Sequence, residues 1–191
     1  MIIEEVGGSA LVFYEPDFLH DPDSLLETLM IEVDWEHRQM SRRECWMNPL
    51  GTPYIYGHYG KEQICLPREY HPSVAELAIA LCKVEIDVDA CFLARYDDQH
   101  HHHAWHADDH PEIDTGRPIV LISLGAERDI MFRRKGETAV ETLTLASGSI
   151  LIMGPGMQTT HEYCVPKHPR PCAPHISLTY RGLVPSAGWI Q

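Results

Sequence analysis

Leu25, Leu26, Leu29, Met30 and Val33 recur three and four positions apart behind Asp21 and Asp23. That spacing gathers the apolar side chains on one stripe and predicts a helix from Asp23 to about Glu36, with either aspartate as its cap. Val74, Leu77, Ala78 and Leu81 repeat the pattern and predict a second helix over Ser73–Lys83. Between the two, Tyr54-Ile55-Tyr56 set among Gly and Pro predicts short strands and turns. From Ala90 onward the pattern changes to short β-rich runs: Cys91–Tyr96, Ile119–Leu124, Asp129–Arg133, Val140–Leu145, Ser149–Met153 and Ile176–Tyr180. Helices first and many short strands afterwards predict an α+β domain built on a β-sandwich or jelly roll. No repeat or linker interrupts the chain, and Pro166 to Pro174 is read as an ordered loop rather than a boundary.

Composition sharpens this picture. With 191 residues and 44% hydrophobic content the chain has enough apolar surface for one sizeable core. The opening Met1-Ile2-Ile3-Glu4-Glu5 is acidic where a signal peptide is basic, and no apolar run reaches membrane-spanning length. The expectation is a soluble cytoplasmic or nuclear protein that is not secreted and has no membrane partner. Cys45, Cys65, Cys82, Cys91, Cys164 and Cys172 form no C-x-x-C pair, which fits reduced thiols better than a disulfide framework. The formal net charge of -13 weighs against a nucleic-acid partner, because binding to phosphates draws on cationic surface. Local clusters at Arg42-Arg43, Arg133-Arg134-Lys135 and Lys167 to Arg170 leave room for a positive rim around one cleft, although each alone reads as a solvated turn.

The candidate chemistry centres on His106-Ala107-Asp108. In an extended segment residues two apart face the same side, so this histidine and aspartate can bind one ion while Ala107 points away. His161 follows the strand-like run Gly148 to Gly154 and is the candidate third ligand. Two imidazoles and a carboxylate on one face of a six-coordinate metal form the ligand set of non-haem iron(II) oxygenases. The tripeptide alone is a weak signal; the flanking strands raise its weight.

The chain resembles the AlkB family of iron(II)- and 2-oxoglutarate-dependent oxygenases over roughly Arg42 to Arg181. The matching pieces are Arg43 with Pro53-Tyr54-Ile55-Tyr56, Arg95-Tyr96, Trp105-His106-Ala107-Asp108-Asp109, Ser123-Leu124-Gly125-Ala126, Phe132-Arg133-Arg134-Lys135, Gly148 to Met153, Val165-Pro166-Lys167 and Leu178-Thr179-Tyr180-Arg181. The resemblance implies a double-stranded β-helix (jelly-roll) core over 90–185, with N-terminal helices and a nucleotide-recognition lid over 1–89, in a single 1–191 domain. It implies iron(II), 2-oxoglutarate and O2 as cofactor and cosubstrates, and oxidative removal of alkyl groups from nucleobases in DNA or RNA. His106, Asp108 and His161 would hold the iron. Tyr96, His175, Ser177, Thr179 and Arg181 would bind the cosubstrate, Arg181 through the two parallel bonds that a guanidinium fork makes to a carboxylate. Tyr56 would stack on an extruded base with Tyr54 also on the substrate side, although packing within a strand explains both as well. Asp109, His110 and Arg133 would complete the substrate side, His110 being equally readable as a surface residue.

Several positions depart from the family pattern. The terminal Arg-x-Asn-x-Thr-x-Arg motif reads His175-Ile176-Ser177-Leu178-Thr179-Tyr180-Arg181, and Ala94 stands where the family has an Asn. The distal carboxylate would then fall to His175, Ser177 or Arg170, and a protonated His175 would make cosubstrate affinity sensitive to pH near neutrality. Aligned on Val165-Pro166-Lys167, the family's third histidine falls at Tyr163; His161 is the favoured substitute and His168 the fallback. The run His100-His101-His102-His103 is read as a solvated loop able to collect metals. Two other classes stay open: an oxygenase for a small molecule or protein, and a noncatalytic relative that binds without turnover.

Overall fold

A computed structural model describes residues 2–6, 10–57, 60 and 62–185. In chain order the elements are β1 (Ile2–Val6), β2 (Ala10–Glu15), α1 (Pro22–Glu32), β3 (Glu36–Gln39), β4 (Arg42–Met47), β5 (Tyr54–Tyr56), β6 (Gln63–Cys65) and α2 (Pro72–Cys82). They continue with β7 (Ala90–Tyr96), β8 (His103–His106), β9 (Ile119–Gly125), β10 (Arg128–Arg134), β11 (Glu141–Leu145), β12 (Ile150–Met153), α3 (Met157–Thr160), β13 (His161–Val165) and β14 (His175–Arg181). An eight-stranded sheet in the order β1-β2-β12-β9-β14-β7-β4-β3 faces a four-stranded sheet in the order β11-β10-β13-β8, and β5 and β6 form a separate hairpin. This is the jelly-roll architecture that the strand pattern predicts.

The large sheet is covered on both faces, which is why β9 and most of β7 read as nearly continuous apolar runs. On β14, Ile176, Leu178 and Tyr180 point into one cluster with Leu29 of α1 and Val74, Ala78 and Leu81 of α2. Alternation sends His175, Ser177, Thr179 and Arg181 to the other face, toward the smaller sheet. β7 behaves alike: Cys91 and Leu93 join the helices, while Phe92, Ala94 and Tyr96 face inward. A third cluster, including Ile119, Leu121, Ile130, Phe132, Met153 and Tyr163, packs the space between the sheets beside the site.

Helix α1 starts as predicted, with the Asp21 carboxylate accepting the Ser24 amide at 3.2 Å and Pro22 in the first turn. It stops at Glu32 rather than Glu36. Val33 turns to extended backbone (φ -78°, ψ 130°), and Asp34 and Glu36 both pair with Arg68, so the last predicted turn is pulled into a strand approach. Helix α2 runs one residue earlier than predicted because the His71 side chain accepts the Ser73 amide. The strands β1 to β4 before and after α1 extend the large sheet and were not anticipated by the helices-first reading. All six cysteines are free. No described helix is long and apolar enough to cross a membrane.

Candidate active site

The site lies between the sheets, where β14 and β7 face β8 and β13. Tyr163 pairs in register with His106, and Ser177 and Thr179 pair with Ala94 and Phe92. At the centre is Asp108, fully buried. Its two oxygens receive Arg181 Nε and Nη2 at 3.0 and 2.8 Å, and the Tyr163 hydroxyl donates to Oδ2 at 2.7 Å. Gln158 fixes the backbone by accepting the Asp108 amide at 2.9 Å. Burial alone would raise the Asp108 carboxyl, but Arg181, His106 and the Tyr163 hydroxyl outweigh it and hold the group below the usual carboxylate range.

His106 is oriented by its own strand. Its Nδ1–H donates to the Ala104 carbonyl at 2.8 Å, which leaves Nε2 with a free lone pair, the tautomer that a metal ligand needs. Burial lowers its pKa to about 4, against the opposing pull of Asp108 and the Ala104 carbonyl, so the ring is neutral at physiological pH. A neutral imidazole and an ionised carboxylate therefore share one pocket. Arg181, also buried, keeps Nη1 without a hydrogen-bond partner among the described residues. A buried, unpaired guanidinium N–H beside the pocket matches a carboxylate ligand. The donor chemistry thus fits iron and 2-oxoglutarate: His106 and Asp108 toward the metal, Arg181 toward the cosubstrate.

Two spaces that share Phe92, His103, His106 and Arg181 in their walls serve the site. The outer cavity, of about 470 Å³, is lined by Arg42, Tyr54, Tyr56, His106, Asp109 and Lys135, among others. That size is ordinary for a small-molecule site, roughly 300–1,000 Å³. The inner slot, bounded by Tyr96, His103, His106, Tyr163, Ser177, Thr179 and Arg181, holds about 20 Å³. That is room for about one water, so a five-carbon diacid enters only with a side-chain shift.

Of the residues singled out in the sequence, Tyr96, Ser177, Thr179 and Arg181 surround the inner slot, and Tyr54, Tyr56, Asp109 and His110 line the outer cavity. Tyr54 stacks on Trp46 (ring centroids 5.0 Å) and its hydroxyl lies 3.4 Å from both Asp108 and His110. The Tyr56 hydroxyl donates to Glu44 at 2.5 Å. Both tyrosines are therefore core and cavity wall at once.

Several expectations are corrected. His161 does not join His106 and Asp108: it opens β13 opposite Arg134, its Nδ1 lies 2.8 Å from the Thr160 hydroxyl, and Tyr163 takes the place opposite His106. The fallback His168 is engaged with its own loop, Nδ1 being 2.7 Å from the Arg170 carbonyl. Among the described residues no three His, Cys, Asp or Glu side chains are placed to hold one metal ion. His175 does not act as a cation, because burial lowers its pKa to about 4 and its Nδ1–H is spent on the Ala126 carbonyl at 2.8 Å. Arg133 stands outside the cavity, paired with Glu162 and lying 4.2 Å over the Trp105 ring. Part of the histidine run is also not a solvated loop: His103 enters β8 and its ring stacks on that of His106 at 3.6 Å.

Three cations that the sequence gives no individual site role complete the site. Lys135, one of the basic run Arg133-Arg134-Lys135, bridges Asp109 and the Gln158 carbonyl, both at 2.8 Å. Arg42 forms a buried pair with Glu44 beneath Tyr56. Arg128, buried under Tyr96 with its charge 5.3 Å from the ring centroid, donates to the Asp98, His101 and Pro166 carbonyls and ties together the loops that flank the site. Clustering of charge marks Arg42 and Lys135 and nothing marks Arg128, but the partners of all three emerge only in the fold.

Comparison with known proteins gives the site its family. The 2OG-Fe(II) oxygenase superfamily model matches residues 20–181. The DNA oxidative demethylase ALKBH2 of Mus musculus is 32% identical over 165 residues, covering 82% of this chain and 67% of that protein. The alpha-ketoglutarate-dependent dioxygenase alkB homolog 3 of Bos taurus is 27% identical over 191 residues, covering 87% of this chain and 63% of its own length. The chain spans only 38% of the human ALKBH2 protein in its match to that relative. The solved structure of OsALKBH1 superposes with a TM-score of 0.66 at 13% identity, over 95% of this chain and 100% of that one, a likeness of fold.

Proposed function

Because the chain belongs to the 2OG-Fe(II) oxygenase superfamily, as an AlkB-like dioxygenase using iron(II), 2-oxoglutarate and O2, we propose that it oxidatively dealkylates N-alkylated nucleobases in nucleic acid. Succinate, CO2 and an aldehyde are the co-products. The observation that carries this reading is the outer cavity: its wall of Tyr54, Tyr56 and Phe92 meets His106 and Arg181 at its inner end. An aromatic wall suits an extruded base, each stacking contact being worth about 1–3 kcal/mol.

Bound iron and 2-oxoglutarate supply the oxidant that hydroxylates the alkyl carbon. The protein's own share is placement. Arg181 offers its free Nη1 to a carboxylate while its other two nitrogens hold Asp108 in one rotamer. Tyr54 and Tyr56 form part of the cavity wall that a base would meet, and Asp109, held by Lys135, offers a carboxylate to an exocyclic amine. After hydroxylation, an N-hydroxymethyl group breaks its C–N bond, the hydroxyl proton passes to the ring nitrogen, and formaldehyde leaves.

A second reading, oxidation of a small molecule or protein side chain, draws support from the rim: Lys135 pairs with Asp109 and Arg133 with Glu162 on a chain of net charge -13. Single-stranded oligonucleotides carrying N1-methyladenine or N3-methylcytosine, followed by mass spectrometry, separate the two. Loss of the methyl group with stoichiometric succinate is expected; succinate without repair of any base would favour the second reading.

A further inference from the structure

We propose that Tyr163, rather than a histidine, is the third protein ligand of the metal site, its phenolate oxygen completing one face with His106 and Asp108. This rests on the dioxygenase reading above and concerns only which side chains hold the ion.

Tyr163 touches both of the other donors. Tyr163 sits directly opposite His106 in the β13–β8 pairing, with ring centroids 4.3 Å apart. Its hydroxyl oxygen is 2.7 Å from Asp108 Oδ2, so a single proton now occupies the space between two oxygens. A cation there would replace that proton. The phenol O–H bond breaks, the proton leaves to solvent through the outer cavity, and an oxygen–metal bond forms in its place. Asp108 loses a hydrogen-bond donor and gains the ion, so neither buried oxygen is left without a partner.

The competing histidines are placed less well. His161 shares a face of β13 with Tyr163 and its buried Nε2 has no hydrogen-bond partner among the described residues, but it lies in register with Arg134 at the start of the strand, whereas Tyr163 is the residue in register with His106. His103 is near, but its ring is stacked on that of His106 at 3.6 Å with an interplanar angle of 22°. The lone pairs of two nearly parallel imidazoles lie in parallel planes and do not converge on one ion without breaking the stack. Tyr163 needs a change of partner and no change of strand register. The resulting set, one imidazole nitrogen with two anionic oxygens, is harder than the two-imidazole set and favours the ferric over the ferrous ion relative to it.

The test uses the whole chain with iron alone. Iron(II) is added without oxygen to the wild type and to Tyr163→Phe, Tyr163→His and His161→Ala, binding is measured, and each sample is then oxidised with one equivalent of ferricyanide. The wild type is expected to develop a visible phenolate-to-iron(III) charge-transfer band with tyrosinate ring vibrations in resonance Raman spectra. Tyr163→Phe should lose the band and bind iron(II) at least roughly 10-fold more weakly, the lower end of what even an outer-shell partner contributes. Tyr163→His should keep the iron without the band, and His161→Ala should match the wild type. Iron bound by the wild type with no tyrosinate signature would overturn the assignment while leaving the family chemistry intact. Uptake by Tyr163→His but not by the wild type would overturn it too, by showing that Tyr163 blocks the site. Failure of both to take up iron would remove the dioxygenase reading with it.

Discussion

At Asp108 a buried carboxylate is already neutralised by a guanidinium and a phenol. Removing its charge leaves Arg181 buried beside a neutral amide, the situation in which breaking a buried pair costs about 3–5 kcal/mol. Asp108→Asn should therefore lower the stability of the metal-free protein by that amount in urea unfolding, as well as abolishing turnover. A loss below about 1 kcal/mol would mean that Arg181 finds water instead. His175 carries the residue-scale pH prediction. The unfolded imidazole takes up its proton near pH 6.5, whereas in the folded chain burial defers this to about pH 4. Below about pH 6.5 the unfolded state binds more protons than the folded one, so stability is full above that pH and declines toward pH 4. The total is roughly 3 kcal/mol from this one ring. His175→Gln should flatten that part of the acid limb in pH-dependent urea unfolding; an unchanged limb would show that another group sets it. The same burial means that cosubstrate KM should not vary with pH between about 6.5 and 8 on account of His175.

Among the elements, those whose two faces are both covered were the most legible. β9 and β7 stand out as largely apolar runs and β14 as a strict alternation, and once β14 is placed, that alternation alone delivers Ser177, Thr179 and Arg181 to the site. Asp21 and Pro22 likewise fixed the start of α1, while its end was hidden because Arg68, far along the chain, draws Asp34 and Glu36 away. β8 was the least legible: a histidine run gives no alternation of apolar and polar residues, so the recruitment of His103 into a strand is visible only from its partner β13. The third ligand position suffered for the same reason. His161 and Tyr163 share a strand face by parity, and only the register decides which of them meets His106. The turn leading from β9 to β10 tests how tightly the elements are locked. Gly125 has φ +84°, and a Cβ there would collide with the Pro174 carbonyl that also accepts the Ala126 amide. Gly125→Ala should cost about 1–3 kcal/mol from the strained backbone alone and loosen the entry of β14, read as faster amide hydrogen exchange at His175 and Ile176. Exchange as slow as in the wild type would show that the loop yields without disturbing the strand.

For the whole molecule, the charge of -13 and the cavity's local chemistry pull in different directions, and their balance sets how a nucleic acid is held. A body this acidic repels a long polyanion, and the rim cations Lys135 and Arg133 are already engaged with Asp109 and Glu162. Affinity must then come mostly from the base inside the aromatic cavity and from few phosphates outside it. For single strands log K falls with log salt by about 0.7 per phosphate neutralised, so two contacts give a slope of about -1.4. Salt titration of a methylated single-stranded oligonucleotide should show that shallow slope. Lys135→Ala should reduce the slope by about 0.7 if its ammonium reaches a phosphate, and leave it unchanged if it serves only to hold Asp109. Trimming the substrate to a short oligonucleotide should then cost little, because the flanking backbone contributes little. A slope as steep as about -5 would instead demand roughly seven phosphates on a cationic track, whereas among the described residues Lys135 and Arg133 beside the cavity are already paired with carboxylates.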